Sequence, residues 1–329
     1  MLRVAVIGAG RIGRVHSEAI ASHPQATLVL VCDPIGTAAE DLAASYGARS
    51  CKDASEVFAD PEVDAVVIGS PSTFHAEHLL AAARAGKAVL CEKPVAISVE
   101  EGRKLEADLA QFDHPPIMIG FQRRFDPSMA KAKRLLEEGS IGELNQVNII
   151  SRDPGPPPAS YIAQSGGIFK DMTIHDFDLG RFYMGEIESV TAFGQELLPE
   201  VTEAGDYSAG VVVLRGKDGA ITTVTFNRKC ATGYDQRIEL HGSEGSLRME
   251  NQTETSLTVF STSAAAAQEP YLNFFLTRYA AAYRNELTAF IDAINNGTPV
   301  SPTVADGVAA LVIAEAAAES ARTGATVTL

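Results

Sequence analysis

Short apolar runs alternate with helical patterns over the first 120 residues of the chain. One helical segment, Thr73–Ala85, has apolar residues at the i, i+3, i+4, i+7 spacing and is followed by a glycine, Gly86, that can end it. Ser98 and Glu101 have the spacing of a capping box and predict the start of another helix. Strands this apolar, separated by helices, are typical of a parallel sheet that is buried on both faces. The predicted strands are Leu2–Ile7, Thr27–Cys32, Asp64–Gly69, Ala88–Cys91 and Pro116–Ile119.

The pattern changes after about residue 121. Ser128–Glu138 and Asp171–Met184 have helical patterns, and between them lie a predicted strand, Leu144–Ile150, and a proline-rich loop, Asp153–Pro158. Strand-like runs then follow one another without intervening helices, which predicts a mostly antiparallel sheet with helices on one face. These runs are Glu188–Gly194, Ser208–Leu214, Ala220–Phe226, Arg237–His241 and Leu257–Phe260.

Two helical segments, Arg278–Asn295 and Val304–Ala321, close the chain. The sequence therefore predicts an α/β protein with a doubly wound parallel sheet in residues 1–120. A second, α+β domain with a mostly antiparallel open sheet is expected in residues 121–329. The length of 329 residues agrees with two domains.

The charge balance excludes some classes of partner. The chain has 27 Lys+Arg against 42 Asp+Glu, a formal net charge of −15, and a pI near 4.9. Phosphate affinity depends on clustered Lys and Arg, so we expect neither a nucleic-acid partner nor docking on anionic membranes. No apolar stretch approaches the roughly 18–20 residues that a membrane helix needs.

The four cysteines are scattered, without a C-x-x-C pair or a zinc-like spacing. Buried free thiols behave as small apolar side chains and suit a reducing compartment. Arg3 and the apolar run Val4–Ala9 resemble the start of a signal peptide, but Arg11 and Arg14 end that run too early. We therefore expect a cytoplasmic protein.

A glycine motif, Gly8-Ala9-Gly10-Arg11-Ile12-Gly13, follows the first strand and leads into an amphipathic helix. Alone, such a motif is weak evidence, because an ordinary glycine turn can have the same sequence. Between a strand and a helix it indicates a dinucleotide site. Gly8 permits the tight turn, Gly10 lets the pyrophosphate approach the backbone, and Gly13 lets the helix pack on the strand. The N–H groups at the helix N-terminus, from Arg11 and Ile12 onward, would bind the phosphates.

Asp33 ends the second strand, at the distance from the glycines where a carboxylate can accept bonds from the adenosine ribose hydroxyls. The same carboxylate would repel a 2′-phosphate, and no arginine follows it directly. The sequence therefore predicts NAD, in preference to NADP, as the cofactor.

Two more segments suggest what the cofactor is used for. Lys93 follows the strand Ala88–Cys91, at the end where ligands bind in open α/β sheets. If Asp171 opens a helix, Asp171 and His175 are one turn apart on the same face, where the carboxylate can orient the imidazole. Taken alone, the first segment favours a solvated surface lysine, and the second favours a helix-capping aspartate with a partly buried histidine.

Together these segments resemble the glucose–fructose oxidoreductase / inositol dehydrogenase / rhizopine catabolism (Gfo/Idh/MocA) family of NAD(P)-dependent oxidoreductases. The resemblance covers essentially the whole chain. The chain is most similar to the inositol 2-dehydrogenase branch in the segments Ser151–Pro158 and Asp171–Asp178. The motifs that carry it are the glycine turn, Glu92–Pro94, Gly120–Asp126 and Gly166–Asp178.

The resemblance implies a Rossmann domain followed by an α/β domain whose open sheet mediates homo-oligomers, dimers or tetramers. It also implies oxidation of a secondary hydroxyl of a cyclic polyol, most similar to the conversion of myo-inositol to its 2-keto product. Lys93, Asp171 and His175 match the catalytic residues of the family. Alcohol oxidation needs a base with a pKa near the operating pH. We therefore expect His175 to take the hydroxyl proton and Asp171 to orient the imidazole of His175. Lys93 would bind the same oxygen, and in some family members it is the base.

Other site residues also follow from the resemblance. No metal site is expected, because no Cys or acidic ligand set completes the pair formed by His75 and His78. Residues matching cofactor-binding positions are Ser70, Pro71, His75, Glu92, Lys93 and Pro94. Residues considered for substrate binding are Gln122, Arg123, Asp153 and Tyr234.

The resemblance leaves alternatives open. Several inositol dehydrogenases supply His and Asn to the substrate from the stretch that here reads Asn148–Asp153, so another cyclitol or a sugar such as glucose is a candidate substrate. A catalytically silent, NAD-binding regulator is a second alternative, and an enzyme that retains and recycles its NAD is a third. The presence of Lys93, Asp171 and His175 together argues against the regulator.

Overall fold

The computed structural model describes residues 1–162 and 164–329. Each strand expected from the sequence is present with ends within two residues of the predicted ones, and short strands that the apolar pattern did not predict are added. The strands are β1 (Leu2–Ile7), β2 (Ala26–Cys32), β3 (Arg49–Cys51), β4 (Ala65–Ile68), β5 (Ala88–Glu92), β6 (Ile117–Gly120), β7 (Leu144–Arg152), β8 (Ile187–Gln195), β9 (Ala209–Gly216), β10 (Ile221–Asn227), β11 (Asp235–Gly242), β12 (Ser246–Met249), β13 (Thr258–Val259), β14 (Ala267–Gln268) and β15 (Val327–Thr328).

The α-helices range from single turns to the 20 residues of the last one. Ser98 caps one of them by accepting a hydrogen bond from the backbone N–H of Glu101, as the capping box predicts. The helices are α1 (Arg11–Ser22), α2 (Ala38–Tyr46), α3 (Ala54–Ala59), α4 (His75–Arg84), α5 (Val99–Leu109), α6 (Pro127–Glu137), α7 (Ala159–Ile162), α8 (Ile168–Asp171), α9 (Ile174–Met184), α10 (Pro199–Thr202), α11 (Phe275–Arg278), α12 (Ala280–Asn296) and α13 (Val304–Thr323).

The chain divides into two compact units. The first unit comprises Met1–Phe125 and Ala281–Leu311, and the second comprises Asp126–Ala280 and Val312–Leu329. This division differs from the expected one, which assigned all of residues 121–329 to the second domain. The difference arises because α12 buries Leu287, Phe290 and Ile291 in the same apolar cluster as β1 and β2. Helical periodicity shows that a face must be buried, but it does not show which sheet covers it.

The first unit contains a six-stranded sheet in the order β3-β2-β1-β4-β5-β6. All of its neighbouring strands are parallel, and β4 and β5 are buried along their whole length. The strand order reverses between β1 and β4, and ligands bind outside the carboxyl ends of the strands at such a point. The predicted doubly wound parallel sheet is confirmed.

The second unit contains a seven-stranded sheet in the order β12-β11-β7-β10-β9-β8-β15. Its pairs are antiparallel except for β7 and β10, which run parallel, so the predicted mostly antiparallel sheet is also confirmed. Side chains alternate between the two faces. Val212 and Val224 are paired and fully buried, whereas Phe193 and Val211, also paired, are exposed.

No helix of the described residues is both long enough and apolar enough to cross a membrane.

Candidate active site

The turn from β1 into α1 is built on three glycines with different surroundings. Gly8 has a φ of +99°, and a Cβ there would lie 2.5 Å from the carbonyl oxygen of Gly69. A Cβ on Gly13 would lie 1.8 Å from the carbonyl oxygen of Gly8. Around Gly10, in contrast, no described atom lies within 4 Å of the position a Cβ would take. Gly8 and Gly13 are therefore required by the packing of the protein on itself, while Gly10 borders open space.

The N-terminus of α1 faces the same open space. Gly10 is its N-cap, and no side chain of the described residues caps this end. The first N–H groups of a helix have no partner within the helix and carry its positive partial charge. A pyrophosphate fits this cradle, because it needs backbone donors and room that a Cβ would fill.

Asp33, directly after β2, holds the glycine turn in place. Its Oδ2 accepts a hydrogen bond from the backbone N–H of Ala9 at 2.8 Å, and its Oδ1 accepts one from Ile35 at 2.9 Å. The side chain therefore stands beside the glycine turn, at the position where a ribose carboxylate partner is expected.

His75 links two segments at the carboxyl ends of β4 and β5. Its Nδ1 lies 2.7 Å from the carbonyl oxygen of Pro94 and its Nε2 lies 2.8 Å from that of Ser70. The ring is buried, and burial lowers the pKa of His75, against the opposing effect of these two hydrogen bonds. His75 thus holds the Ser70–Pro71 and Pro94 segments together with a ring turned away from solvent.

Glu92 is the last residue of β5 and precedes Lys93. Its Oε1 lies 2.8 Å from Nε2 of His16, and both side chains are buried. The carboxylate is therefore turned toward α1. Lys93 follows at the end of the strand, where the sequence places it.

The segment after β6 forms a 3-10 helix, Gln122–Phe125, with three buried polar side chains. Arg124 pairs with Asp306 at 3.4 Å and is 8% exposed, so this arginine forms a structural ion pair. Oε1 of Gln122 has no hydrogen-bond partner among the described residues, so it is one buried acceptor that a ligand could satisfy.

In the second unit, Asp171 does not open a helix as the sequence analysis expected. It ends the short helix α8, and α9 begins three residues later at Ile174. Asp171 and His175 therefore lie on two different helices, and the expectation that they share one helix face is wrong. Gly167, with a positive φ, precedes α8, and the turn at Met172–Thr173 separates α8 from α9, which apolar periodicity does not reveal.

Asp171 is held by a buried arginine. Its Oδ2 accepts a hydrogen bond from Nη1 of Arg228 at 3.3 Å, and its Oδ1 accepts one from the hydroxyl of Tyr161 at 3.0 Å. Nη2 of Arg228 donates to Asp206 at 3.0 Å. Arg228 is 1% exposed, so its charge is balanced inside the unit by these two carboxylates.

His175 lies in the first turn of α9, which packs against β7, and its side chain is partly buried. The carboxyl ends of β7 and β10 and the start of β11 meet at one edge of the sheet, where Arg152 is paired in register with Asn227 and with Asp235. The structure brings Asp153, Arg228 and Tyr234 to this edge.

The two residues expected to bind substrate in this unit have different surroundings. Asp153 is held by its backbone, which donates to Asn227 at 2.9 Å and accepts from Cys230 at 2.8 Å. Tyr234 is 5% exposed, with its ring packed edge-on against Phe274 and Tyr279.

Asp235, beside Tyr234, carries a charge at this edge. Burial acts to raise its pKa, but hydrogen bonds from Arg237 and Asn251 hold the pKa of Asp235 below its ordinary value. Asp235 is 2% exposed and accepts hydrogen bonds from Arg152, Arg237 and Asn251, so its charge holds this edge of the sheet together.

Four residues with buried or paired side chains were not expected from the sequence. They are His16, Arg228 and Asp206, described above, and Glu286, which is buried on α12 in the first unit. A signal exists for His16 and Glu286, because each has apolar residues four positions before and after it and thus lies on a buried helix face. Arg228 and Asp206 lie outside regular elements, and no pattern identifies them.

Comparisons with known proteins agree with this geometry. Residues 2–120 match the family model described as "Oxidoreductase family, NAD-binding Rossmann fold", and residues 129–248 match the GFO/IDH/MocA C-terminal domain. The chain is 43% identical over 325 residues to the inositol 2-dehydrogenase of Rhizobium meliloti (strain 1021), covering 97% of this chain and 96% of that protein.

Solved structures are similar over the whole chain. A myo-inositol dehydrogenase from Corynebacterium glutamicum ATCC 13032 superposes with a TM-score of 0.95 at 43% identity, covering 100% of this chain and 99% of that one. The scyllo-inositol dehydrogenase of Lactobacillus casei, with bound NAD(H) and scyllo-inositol, superposes with a TM-score of 0.93 at 30% identity, again covering 100% and 99%.

The family resemblance and the NAD cofactor expected from the sequence are both confirmed by these matches. The chain belongs to the GFO/IDH/MocA family of NAD-binding oxidoreductases.

Proposed function

We propose that the protein oxidises a secondary hydroxyl of a cyclic polyol with NAD, and that its substrate is myo-inositol, which becomes the 2-keto product. The observation that carries this proposal is the coincidence of two findings. The chain is similar along its whole length to inositol dehydrogenases, and it has Lys93 directly after β5, Asp171 at the end of α8 and His175 in the first turn of α9.

The first unit would hold the cofactor. The N–H groups at Gly10, Arg11, Ile12 and Gly13 bind the pyrophosphate, and Asp33 accepts from the adenosine ribose. Ser70, Pro71, His75 and the Glu92–Pro94 segment form the remaining wall at the carboxyl ends of β4 and β5. When bound, NAD supplies a hydride acceptor at C4 of its nicotinamide ring.

The chain's own residues manage the proton. Oxidation removes a hydride and a proton from the same carbinol, so the hydroxyl proton needs an acceptor as the hydride leaves. His175 accepts that proton, and Asp171, fixed by Arg228 and Tyr161, orients the imidazole. Lys93 donates a hydrogen bond to the same oxygen and stabilises the developing alkoxide.

Substrate recognition would depend on hydrogen bonds. Gln122 brings its unsatisfied acceptor, Arg123 and Tyr234 bring donors, and Asp153 accepts from hydroxyls. A neutral polyol is not repelled by the formal net charge of −15.

A second candidate is a dehydrogenase for another cyclitol or a sugar. The Lactobacillus casei relative is named for scyllo-inositol, and the stretch Asn148–Asp153 contains no His and departs from the sequence expected of several inositol dehydrogenases. The family architecture is the same for these substrates, so stereochemistry decides between the two candidates.

We also propose that the protein is a homo-oligomer, dimer or tetramer, that associates through the outward face of the seven-stranded sheet. Phe193 is 62% exposed and is paired in register with Val211, which is 38% exposed. Val211 is next to Thr225, and Thr225 is next to Ile150, so a row of three apolar residues and one threonine crosses four strands. Such a row on a sheet face is typical of an interface.

The proposed compartment is the cytoplasm. All four cysteines are free, and Cys32 and Cys91 are buried. Burial raises the pKa of both thiols, which keeps them unreactive.

The substrate assignment predicts the outcome of a steady-state assay that follows NADH formation. With free NAD, kcat/KM is expected to be highest for myo-inositol, lower for scyllo- and chiro-inositol, and clearly lower for glucose. With NADP in place of NAD, kcat/KM should fall at least about tenfold, since Asp33 repels the 2′-phosphate. No reduction with any of these polyols would favour the silent regulator, and NAD that co-purifies and is never released would favour internal recycling.

The glycine turn predicts a contrast between two alanine variants. Gly10→Ala should keep its melting temperature within about 2 °C, because its Cβ meets open space, yet raise the Kd for NAD at least about tenfold. Gly13→Ala should lose roughly 2 kcal/mol or more of stability, because its Cβ collides with the Gly8 carbonyl. Thermal unfolding without NAD and calorimetric titration with NAD measure both effects. Unchanged NAD affinity in Gly10→Ala contradicts the proposed pyrophosphate position.

The catalytic assignment predicts large losses of turnover. Lys93→Ala and His175→Ala should each lower kcat about 100-fold or more, while the Kd for NAD measured by titration stays within a few-fold. Lys104→Ala and His114→Ala, both at exposed positions, serve as matched controls with unchanged kcat. Near-normal kcat in either variant of the proposed pair removes that residue from the mechanism.

The proposed interface predicts a mass change. Phe193→Glu should shift the protein toward the monomer in size-exclusion chromatography with light scattering, because a charge in an apolar interface lacks a partner. Phe260→Glu, at a side chain 75% exposed outside this sheet, is the control and should leave the mass unchanged. A monomeric wild type, or an oligomer unaffected by Phe193→Glu, contradicts the proposal.

A further inference from the structure

Three titratable side chains meet in the interior of the first unit, below the strand end that carries Lys93. They are His16 on α1, Glu92 at the end of β5 and Glu286 on α12. One ligand-type atom from each residue lies within 4.8 Å of the other two, and all three residues are buried. His16 and Glu92 are bonded at 2.8 Å.

Glu286 is the unusual member. It is 0% exposed, and neither of its carboxyl oxygens has a hydrogen-bond partner among residues 1–162 and 164–329. An ionised carboxylate in this state would be strongly unfavourable, because it would lose its water without gaining a donor. Burial raises the pKa of Glu286 well above its ordinary value, and the charge of Glu92 adds to the effect.

Residues on two neighbouring elements pack against His16 and Glu92. The ring of Tyr283, one turn before Glu286, packs edge-on against His16 with centroids 5.6 Å apart. A Cβ on Gly120 would lie 3.1 Å from Cα of Glu92, so β6 packs closely against the end of β5. The titratable groups that face Glu286 are His16 from α1 and Glu92 from β5.

We propose that His16, Glu92 and Glu286 form a buried triad, with Glu286 neutral, that fixes the strand end from which Lys93 extends. His16, Glu92 and Glu286 act as positioning residues. Lys93 stands between two anchored neighbours, since Glu92 is bonded to His16 and the carbonyl of Pro94 is bonded to His75. The role assigned to Lys93 rests on the proposed function, whereas the neutral state of Glu286 does not.

A bound metal ion is the competing explanation, because one imidazole and two carboxylates are also metal ligands. The cluster offers three protein ligands in a buried place. A closed structural zinc site has four, and magnesium or calcium takes six or more oxygens. A zinc ion held by three protein ligands needs a water as its fourth ligand, whereas a proton on Glu286 removes the buried charge without any further ligand, which favours the triad.

The pH dependence of stability tests the neutral state without any assay of activity. A carboxyl group with a raised pKa in the folded protein stabilises it fully below the ordinary pKa, and this contribution is lost as the pH rises toward the folded value. Glu286→Gln cannot ionise, so its melting temperature relative to wild type should increase between about pH 5.5 and pH 8.5, by about 2 °C or more. A difference that stays constant over this range means that Glu286 is ionised, and it overturns the triad.

A second measurement needs no variant. The infrared spectrum of the wild type at about pH 8, where ordinary carboxyl groups are ionised, should retain the C=O band of a protonated carboxylic acid. Elemental analysis of the same sample tests the metal. A stoichiometric metal ion that Glu286→Gln fails to retain would replace the proton in the cluster and overturn the proposal.

The positioning role has its own readout in kinetics. His16→Gln keeps an N–H donor near Glu92, and His16→Phe keeps the ring volume without it. We expect His16→Phe to lower kcat at least about tenfold with little change in KM, and His16→Gln to recover most of the loss. His23→Phe, at the end of the same helix, is the control. Equal kcat in the Phe and Gln variants overturns the positioning role, and absence of activity in the wild type contradicts the proposed function while leaving the stability test intact.

Discussion

The close approach of α1 to β1 is the constraint on which the first unit depends. With the Gly13 Cβ position 1.8 Å from the Gly8 carbonyl oxygen, only glycine lets the helix begin this near the strand. This approach brings the N-terminus of α1 to the carboxyl end of the sheet, at the point between β1 and β4 where the strand order reverses. It also places His16, one turn further along α1, against Glu92 on β5. The same packing restriction thus positions both the proposed phosphate site at the start of α1 and Glu92, the first residue of the Glu92–Pro94 segment.

The two units differ in how a buried ionisable side chain is accommodated. One is paired with opposite charges, and the other has no hydrogen-bond donor beside it in the described parts of the chain. Arg228 cannot lose its proton, so the second unit surrounds it with two carboxylates, Asp171 and Asp206. Asp171 is consequently held by an interaction that also stabilises the interior of that unit. Glu286 can lose its charge, and the first unit gives it no donor. Replacing Arg228 removes the charge that compensates two half-buried carboxylates, whereas replacing Glu286 by its neutral isostere leaves the surrounding charges unchanged.

The sequence was sufficient for the fold because burial on both faces gives β1, β4 and β5 continuous apolar runs, and the glycine spacing identifies the turn after β1. It was insufficient where one pattern has two structural solutions. The apolar face of α12 predicts burial but not the sheet that covers it, and the segment around Asp171 has a helical pattern although Met172 and Thr173 interrupt the helix. Arg228 acquires its role from the chain crossing between β10 and β11, which local spacing does not encode.

The acidity of the chain has different consequences for its two ligands. Repulsion between the formal net charge of −15 and an anionic cofactor is spread over the surface and weakened by salt. The pyrophosphate, in contrast, would meet backbone N–H groups at short range in the proposed site, and these donors need no basic side chain. A polyol has no charge on which this field can act. Selection among inositol stereoisomers must therefore come from the directions of individual hydrogen bonds, and the ends of β7, β10 and β11 hold the side chains that can supply them.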